Sequence, residues 1–167
     1  MQESPSKSDD PRRPHVRVMT TGVFDLLHPG HIHMLEEAKR LGDELVVVIA
    51  RDESVAREKH APITPEGHRR DMVAALKPVD LAVLGHRGDY YRIVEELRPN
   101  VFALGFDQSY PEAEVQSEFD RRGIDCRVVR LPQFVGDLDG TRKIVERIAA
   151  RAAEKSLYEQ GTGTGGA

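Results

Sequence analysis

The sequence predicts an α/β fold with a five-stranded parallel sheet held between two layers of helices. Three observations carry this. Short apolar runs alternate along the chain with stretches of helical periodicity. The second, third and fourth runs are apolar almost throughout, as strands buried on both faces require. A length of 167 residues is enough for one domain with helices on both sides of a sheet. Strand and helix in alternation imply right-handed crossovers between parallel strands.

Residues 1–14 combine Pro, Ser and mixed charge with a single large apolar residue, and are expected to form a disordered arm. The domain is expected over 15–158, with a flexible tail over 159–167 that is rich in Gly and Thr. The first strand is Val16–Met19. A helix follows Pro29-Gly30, with Ile32, Leu35, Ala38 and Leu41 at helical spacing and Gly42 as its stop. Leu45–Ala50 is the second strand. Thr64-Pro65 offers an N-cap and a first-turn proline to a helix that carries Met72, Val73 and Leu76 and stops at Pro78. Val79–Leu84 is the third strand, and Asp89 is placed to cap a helix reaching Leu97. The fourth strand is Val101–Leu104. A helix over Glu112–Arg122 is stopped by Gly123, and Cys126–Leu131 is the fifth strand. Asp139 is placed to cap a last helix over 141–157, with Ile144, Val145, Ile148 and Ala152 along one side.

Composition narrows the function. Charged residues make up 31% of the chain, yet the formal net charge is only −4, so no field of one sign favours nucleic acid as a partner. Cys126 is the single cysteine, which excludes an internal disulfide and a multi-cysteine zinc site and fits a reducing, cytoplasmic setting. As a small residue beginning a strand, it is expected in the core. No apolar run approaches the ~20 residues of a membrane span, and no secretory signal opens the chain. The glycines of the tail have no strand before them and no helix after them, so they are not read as a phosphate loop.

The chemistry concentrates after the first strand. In an open parallel sheet, ligands lie beyond the carboxyl ends of the strands at a topological switch point. The first strand delivers Thr20-Thr21-Gly22-Val23-Phe24-Asp25 there, followed by His28 and His31 around Pro29-Gly30 at a helix start. A helix N-terminus offers free N–H groups and about half a positive charge, which favours phosphate. Gly30 allows close backbone approach, and two imidazoles can donate to phosphate oxygens. Asp25 is expected to brace the loop rather than act as a base. His33 is expected to face solvent or a neighbouring helix, and Arg70 to be structural.

The segment GVFDLLHPGHIHMLEEAKRLGDELVVVIARDE resembles the signature region of the cytidylyltransferase-like nucleotidyltransferases, marked by H-x-G-H at the start of the first helix. The resemblance covers about Val16 to Ile148. HPGH with ARDE, PEGHRRDMVAALKPVD and LGFDQ is most similar to the archaeal FAD synthases within that family. It implies a Rossmann-like nucleotidyltransferase fold and transfer of AMP from ATP to FMN, giving FAD and pyrophosphate without a covalent enzyme intermediate. It further implies that His28 and His31 stabilise charge on the phosphate oxygens and that Arg69 reaches the triphosphate. Gly22, Val23, Phe24, Pro29 and Gly30 would follow the nucleotide, chiefly with main chain. Asp107, in Gly105-Phe106-Asp107-Gln108, would accept from a ribose hydroxyl or base amine. Thr141 would open a second phosphate-binding helix. A homodimer is implied, and a divalent cation, Mg²⁺, carried on the ATP phosphates with no metal site built from side chains.

The chain also departs from the pattern. Val23 stands where Thr is common, Lys59 is the one lysine of its loop, Gln133 replaces a basic residue, and QFVGDLDGTRK differs from the usual C-terminal motif. Two other readings therefore stand beside the first: a CTP-dependent enzyme acting on glycerol 3-phosphate or another phosphorylated small alcohol, and a nucleotide-binding module without turnover.

Overall fold

The computed structural model describes residues 13–58 and 61–153. The strands β1 (Arg17–Gly22), β2 (Glu44–Ile49), β3 (Leu81–Leu84), β4 (Val101–Leu104) and β5 (Arg127–Arg130) form one sheet in the order β3-β2-β1-β4-β5. Every pairing is parallel. The helices are α1 (Pro29–Lys39), α2 (Asp52–Glu58), α3 (Glu66–Ala74), α4 (Arg92–Leu97), α5 (Glu112–Arg121) and α6 (Thr141–Ala153). This is the expected three-layer arrangement. The tail 159–167, Lys59 and most of the arm lie outside the described residues; Arg13, at the end of that arm, pairs with Asp43 at 3.3 Å.

Side chains alternate across a strand with period two, so a strand covered on both faces needs apolar residues at every position. Val18, Leu45, Val47, Ile49, Val101 and Ala103 meet Leu35 and Ala38 of α1 and Val73 of α3 in one layer. Met19, Val48, Phe102, Leu104 and Val128 meet Ile93, Val94, Val115 and Phe119 of α4 and α5 in the other. Each fully buried side chain of this size contributes about 1.5–3 kcal/mol. Thr20 is 0% exposed within β1 and is satisfied by donating its hydroxyl to the Ala103 carbonyl at 2.8 Å.

Several boundaries differ from expectation. β1 continues past Met19 because its pairing with β2 runs on through Thr21↔Val48 and Gly22↔Ile49, polar composition notwithstanding. The short helix α2 is unforeseen; among its described side chains Ser54 and Val55 are buried, too few to set a period. Thr64 does not cap α3, which opens at Pro65; its N–H and hydroxyl go to Asp25 instead. Gly42 is no left-handed stop. α1 closes at Arg40 in right-handed geometry, and Gly42 is needed where a Cβ would sit 2.6 Å from the Val16 carbonyl oxygen. Gly123 does end α5 as expected, with φ 68° and the Ile124 N–H returning to the Phe119 carbonyl at 2.9 Å. Asp89 accepts from the Tyr91 N–H at 2.9 Å, one residue ahead of α4. Asp139 takes the Lys143 ammonium at 2.7 Å, while the Gly140 carbonyl accepts from Ile144 at the start of α6.

The strand order reverses between β1 and β4. From β1 the chain moves toward β2 and β3; from β4 it moves toward β5. The crevice beyond the carboxyl ends of β1 and β4 is therefore the switch point, and both the His28–His31 segment and the Gly105–Gln108 turn empty into it. No described helix is long and apolar enough to cross a membrane.

Candidate active site

His28 occupies the N-cap of α1 in extended geometry (φ −147°, ψ 166°), and Pro29 takes the first helical position, where a missing N–H costs nothing. No acidic residue stands in the first turn to neutralise the helix terminus. The His28 ring is not used as a cap; it stacks on His31 with centroids 3.7 Å apart and planes inclined by 23°. Phe24 abuts His31 at 4.9 Å. To reach that place Phe24 adopts a left-handed backbone (φ 55°), an unfavourable geometry for a bulky residue, and its ring is 1% exposed.

Both imidazoles are held neutral. Burial pushes His31 down to about 4, with the nearby His28 adding to the shift. Burial also lowers His28, opposed first by the Asp139 carboxylate and then by Asp107. Neither Nδ1 finds a hydrogen-bond partner among the described residues. Each neutral imidazole carries one N–H donor, and no protein partner among those residues takes it at Nδ1. The pair thus presents two neutral N–H donors beside a helix terminus.

This burial has a sign that can be measured. In the unfolded chain a histidine titrates near 6.5. The folded pKa values are lower, so the unfolded state binds more protons below that pH; the stabilisation is complete above about 6.5 and is lost as pH falls toward the His31 value of about 4. The free protein is expected to lose melting temperature between pH 6.5 and 5, above the range where the lowered carboxylates of Glu44, Glu66 and Glu118 protonate. His31→Asn should flatten that slope in a calorimetric pH series; a wild-type Tm that is level across the window would contradict the neutral pair.

Arg69 is not where a phosphate would meet it. Its side chain is 0% exposed. Nε donates to the Thr64 carbonyl at 2.9 Å, one terminal nitrogen to the Val23 carbonyl, and the other to the Ala50 carbonyl at 2.8 Å and Asp52 Oδ1 at 2.5 Å. The guanidinium ties together the chain leaving β1, the chain leaving β2 and the entry to α3. The expected triphosphate contact is thereby corrected to a positioning role. Asp52 and Glu66 complete the tie reciprocally: the Asp52 N–H donates to Glu66 Oε2 at 2.8 Å and the Glu66 N–H to Asp52 Oδ2 at 3.1 Å. That Asp52 N–H is the main reason the Glu66 carboxyl lies below its usual range. Arg51 adds Nη1 to Glu66 Oε1 at 2.8 Å and Nε to the Gly85 carbonyl at 2.7 Å. Asp25 braces the same loops as expected, accepting from the Ile63 and Thr64 N–H groups at 3.0 and 2.8 Å.

The glycines admit close packing. A Cβ on Gly22 would lie 2.6 Å from the Phe24 ring, so Gly22 makes room for that ring. A Cβ on Gly30 would lie 2.7 Å from the Asp139 carbonyl oxygen, so the close approach there is the chain leading into α6. The starts of α1 and α6 consequently converge, which brings half-buried Thr141 toward the histidine pair. Val23 has its carbonyl committed to Arg69. Asp107 is exposed after β4, close enough to act electrostatically on His28. Gln108 and Arg130 were not singled out in the sequence. Gln108 bridges β1 and β4 by donating to the Thr21 carbonyl at 2.9 Å and accepting from the Gly105 N–H at 2.9 Å. Arg130 holds the same turn through the Gly105 and Gln108 carbonyls at 3.0 and 2.8 Å.

The profile of the family described as cytidylyltransferase-like matches residues 19–155. The chain belongs to the cytidylyltransferase-like family. A curated FAD synthase from Aciduliprofundum boonei is 57% identical over 137 residues, which are 81% of this chain and 92% of that relative. The FAD synthase of Halalkalicoccus jeotgali is 49% identical over 140 residues, 81% of this chain and 98% of the relative. Among solved structures, the lipopolysaccharide core biosynthesis protein from Thermoplasma volcanium is similar at a TM-score of 0.72 and 48% identity, over 73% of this chain and 100% of that one. In this cytidylyltransferase-like chain, the site offers neutral donors and two helix termini at one point. Such an arrangement orients phosphates and stabilises developing charge. Cys126 is buried in the opposite layer with its thiol pushed up to about 12 by that burial, so it is a core residue as expected.

Proposed function

We propose that the chain is an FAD synthase, a nucleotidyltransferase that moves AMP from ATP to FMN. An oxygen of the FMN phosphate attacks the α-phosphorus of ATP, and the bond from that phosphorus to the β-phosphate oxygen breaks. Pyrophosphate leaves, and AMP remains joined to FMN as FAD. The observation that carries this reading is the stacked, neutral His28–His31 pair at the α1 terminus, at the switch point of a chain 57% identical to an FAD synthase.

His28 and His31 each donate a ring N–H to oxygens on the α-phosphorus and on the leaving phosphate. Gly22, Val23, Phe24, Pro29 and Gly30 give the pair its geometry, and the start of α6 with Thr141 supplies a second positive terminus. Asp107 accepts from the ribose or base on the β4 side. Among the described residues no group of three or more His, Cys, Asp or Glu side chains is gathered as a metal site. The divalent cation, Mg²⁺, is assigned to the triphosphate, where it would neutralise charge on the phosphate oxygens. The net charge of −4 supports small-molecule substrates over nucleic acid, and the buried single cysteine supports a cytoplasmic setting. A homodimer is part of the proposal; α6 leaves Val145 and Ile148 43% and 52% exposed on one side, and light scattering reads the mass against 18.7 kDa for one chain.

A panel of ATP or CTP against FMN or glycerol 3-phosphate tests the reading, with pyrophosphate release and FAD as readouts. FAD from ATP and FMN is the expected result. CTP turnover with glycerol 3-phosphate and no FAD overturns it in favour of the cytidylyl reading, and ATP binding without pyrophosphate from either acceptor favours a binding module.

A further inference from the structure

On the flank of His28 away from the β4 turn lies an open groove of about 550 Å³, walled by Leu27, Pro29, Ile32, Leu76 and Phe134. We infer that this groove seats the planar ring system of the acceptor, with the ring lying against Phe134; the inference rests on the FAD synthase reading. Three features point to such an occupant.

The first is continuity. His28 itself lines the groove, so a molecule held there can carry its phosphate to the histidine pair without leaving the protein surface. The nucleotide is assigned to the Asp107 side, which leaves this flank for the second substrate. The second is size and chemistry. Small-molecule sites run about 300–1,000 Å³ and combine apolar walls with a few polar groups. Here the walls are aliphatic and aromatic, and His33 and the exposed Glu36 carboxylate stand at the rim, suited to the polar edge of a flavin. The third is pre-positioning. The Phe134 ring is folded back over Gly136, where a Cβ would lie 2.5 Å from the ring, and it meets the His33 ring at 5.4 Å. An aromatic face fixed in this way is ready to stack on a flat ligand. His33 thus faces a ligand groove, not merely solvent or a neighbouring helix.

The test uses three variants of the whole protein. Phe134→Ala should raise the KM for FMN by about 10-fold, the usual scale for losing one stacking face, with the KM for ATP unchanged. Gly136→Ala should raise it in the same direction by displacing the ring without removing it. Phe134→Trp should quench the fluorescence of both FMN and riboflavin on binding, since riboflavin lacks the phosphate and can use only the ring groove. If wild-type protein makes FAD while these variants leave the FMN KM unchanged and the tryptophan quenches neither flavin, the groove is not the flavin site and the FAD synthase reading stands. If the KM for ATP rises instead, the groove holds adenine and the inference fails. If wild-type protein makes no FAD, the functional reading fails and takes this one with it.

Discussion

His28→Ala and His31→Ala are each expected to lower turnover by about 10²–10³-fold while leaving the circular dichroism spectrum native. The magnitude is that of removing one pre-positioned donor from a developing anion. The two rings are in contact at 3.7 Å and address the same phosphates, so they act as a unit. The double variant is therefore expected to lose much less than the product of the single losses. The loss should fall on kcat more than on the KM for ATP, because charge on the transferring oxygens is greatest in the transition state. Stability should not suffer, since each ring is held neutral with an unpartnered Nδ1. Steady-state kinetics beside a melting curve separates the two effects; a fall in Tm that tracks the fall in kcat would make the pair structural.

Arg69→Ala has the opposite signature. Removing the guanidinium leaves the Thr64, Val23 and Ala50 carbonyls without their donor and Asp52 without its partner. Asp52 is 42% exposed and regains water, so the cost falls on the buried carbonyls left without a donor, about 1–3 kcal/mol each, and in a domain of this size a loss of a few kcal/mol lowers Tm on the order of 10 °C. Arg69→Lys should be nearly as damaging, because an ammonium cannot serve four acceptors spread around a planar fork. Thermal unfolding in the absence of nucleotide decides the matter. A residue that served only the triphosphate would leave that Tm unchanged.

The contrast between these residues shows what was legible in the chain. β2 and β4 are apolar enough to be recognised from composition, and H-x-G-H after the first strand places the histidines at a helix start before any coordinates are known. The length of β1 was hidden because Thr20 and Thr21 read as loop, although Thr20 is buried and bonded to β4. Arg69 lies in GHRR beside Arg70, and sequence gives no measure of depth; one arginine is fully buried while its neighbour pairs with Asp71 on the surface. Acidic residues opening both α2 and α3, Asp52 and Glu66, were the available hint that these two helix starts bind each other. The Phe134 groove was legible on one side alone: Leu27, His28, Pro29, Ile32 and Glu36 lie in and around the H-x-G-H segment, whereas Leu76 and Phe134 come from distant segments that no spacing ties to it.

Transfer of a nucleotidyl group at the histidine pair is tested most directly by following the α-phosphorus. With ATP labelled at the α-phosphate and FMN as acceptor, the label is expected in FAD for the wild-type protein and is expected to remain almost wholly in ATP over the same interval for His28→Ala and His31→Ala, entering FAD about 10²–10³-fold more slowly. Label released as free AMP without FAD, or the same yield of labelled FAD from the histidine variants, would contradict it.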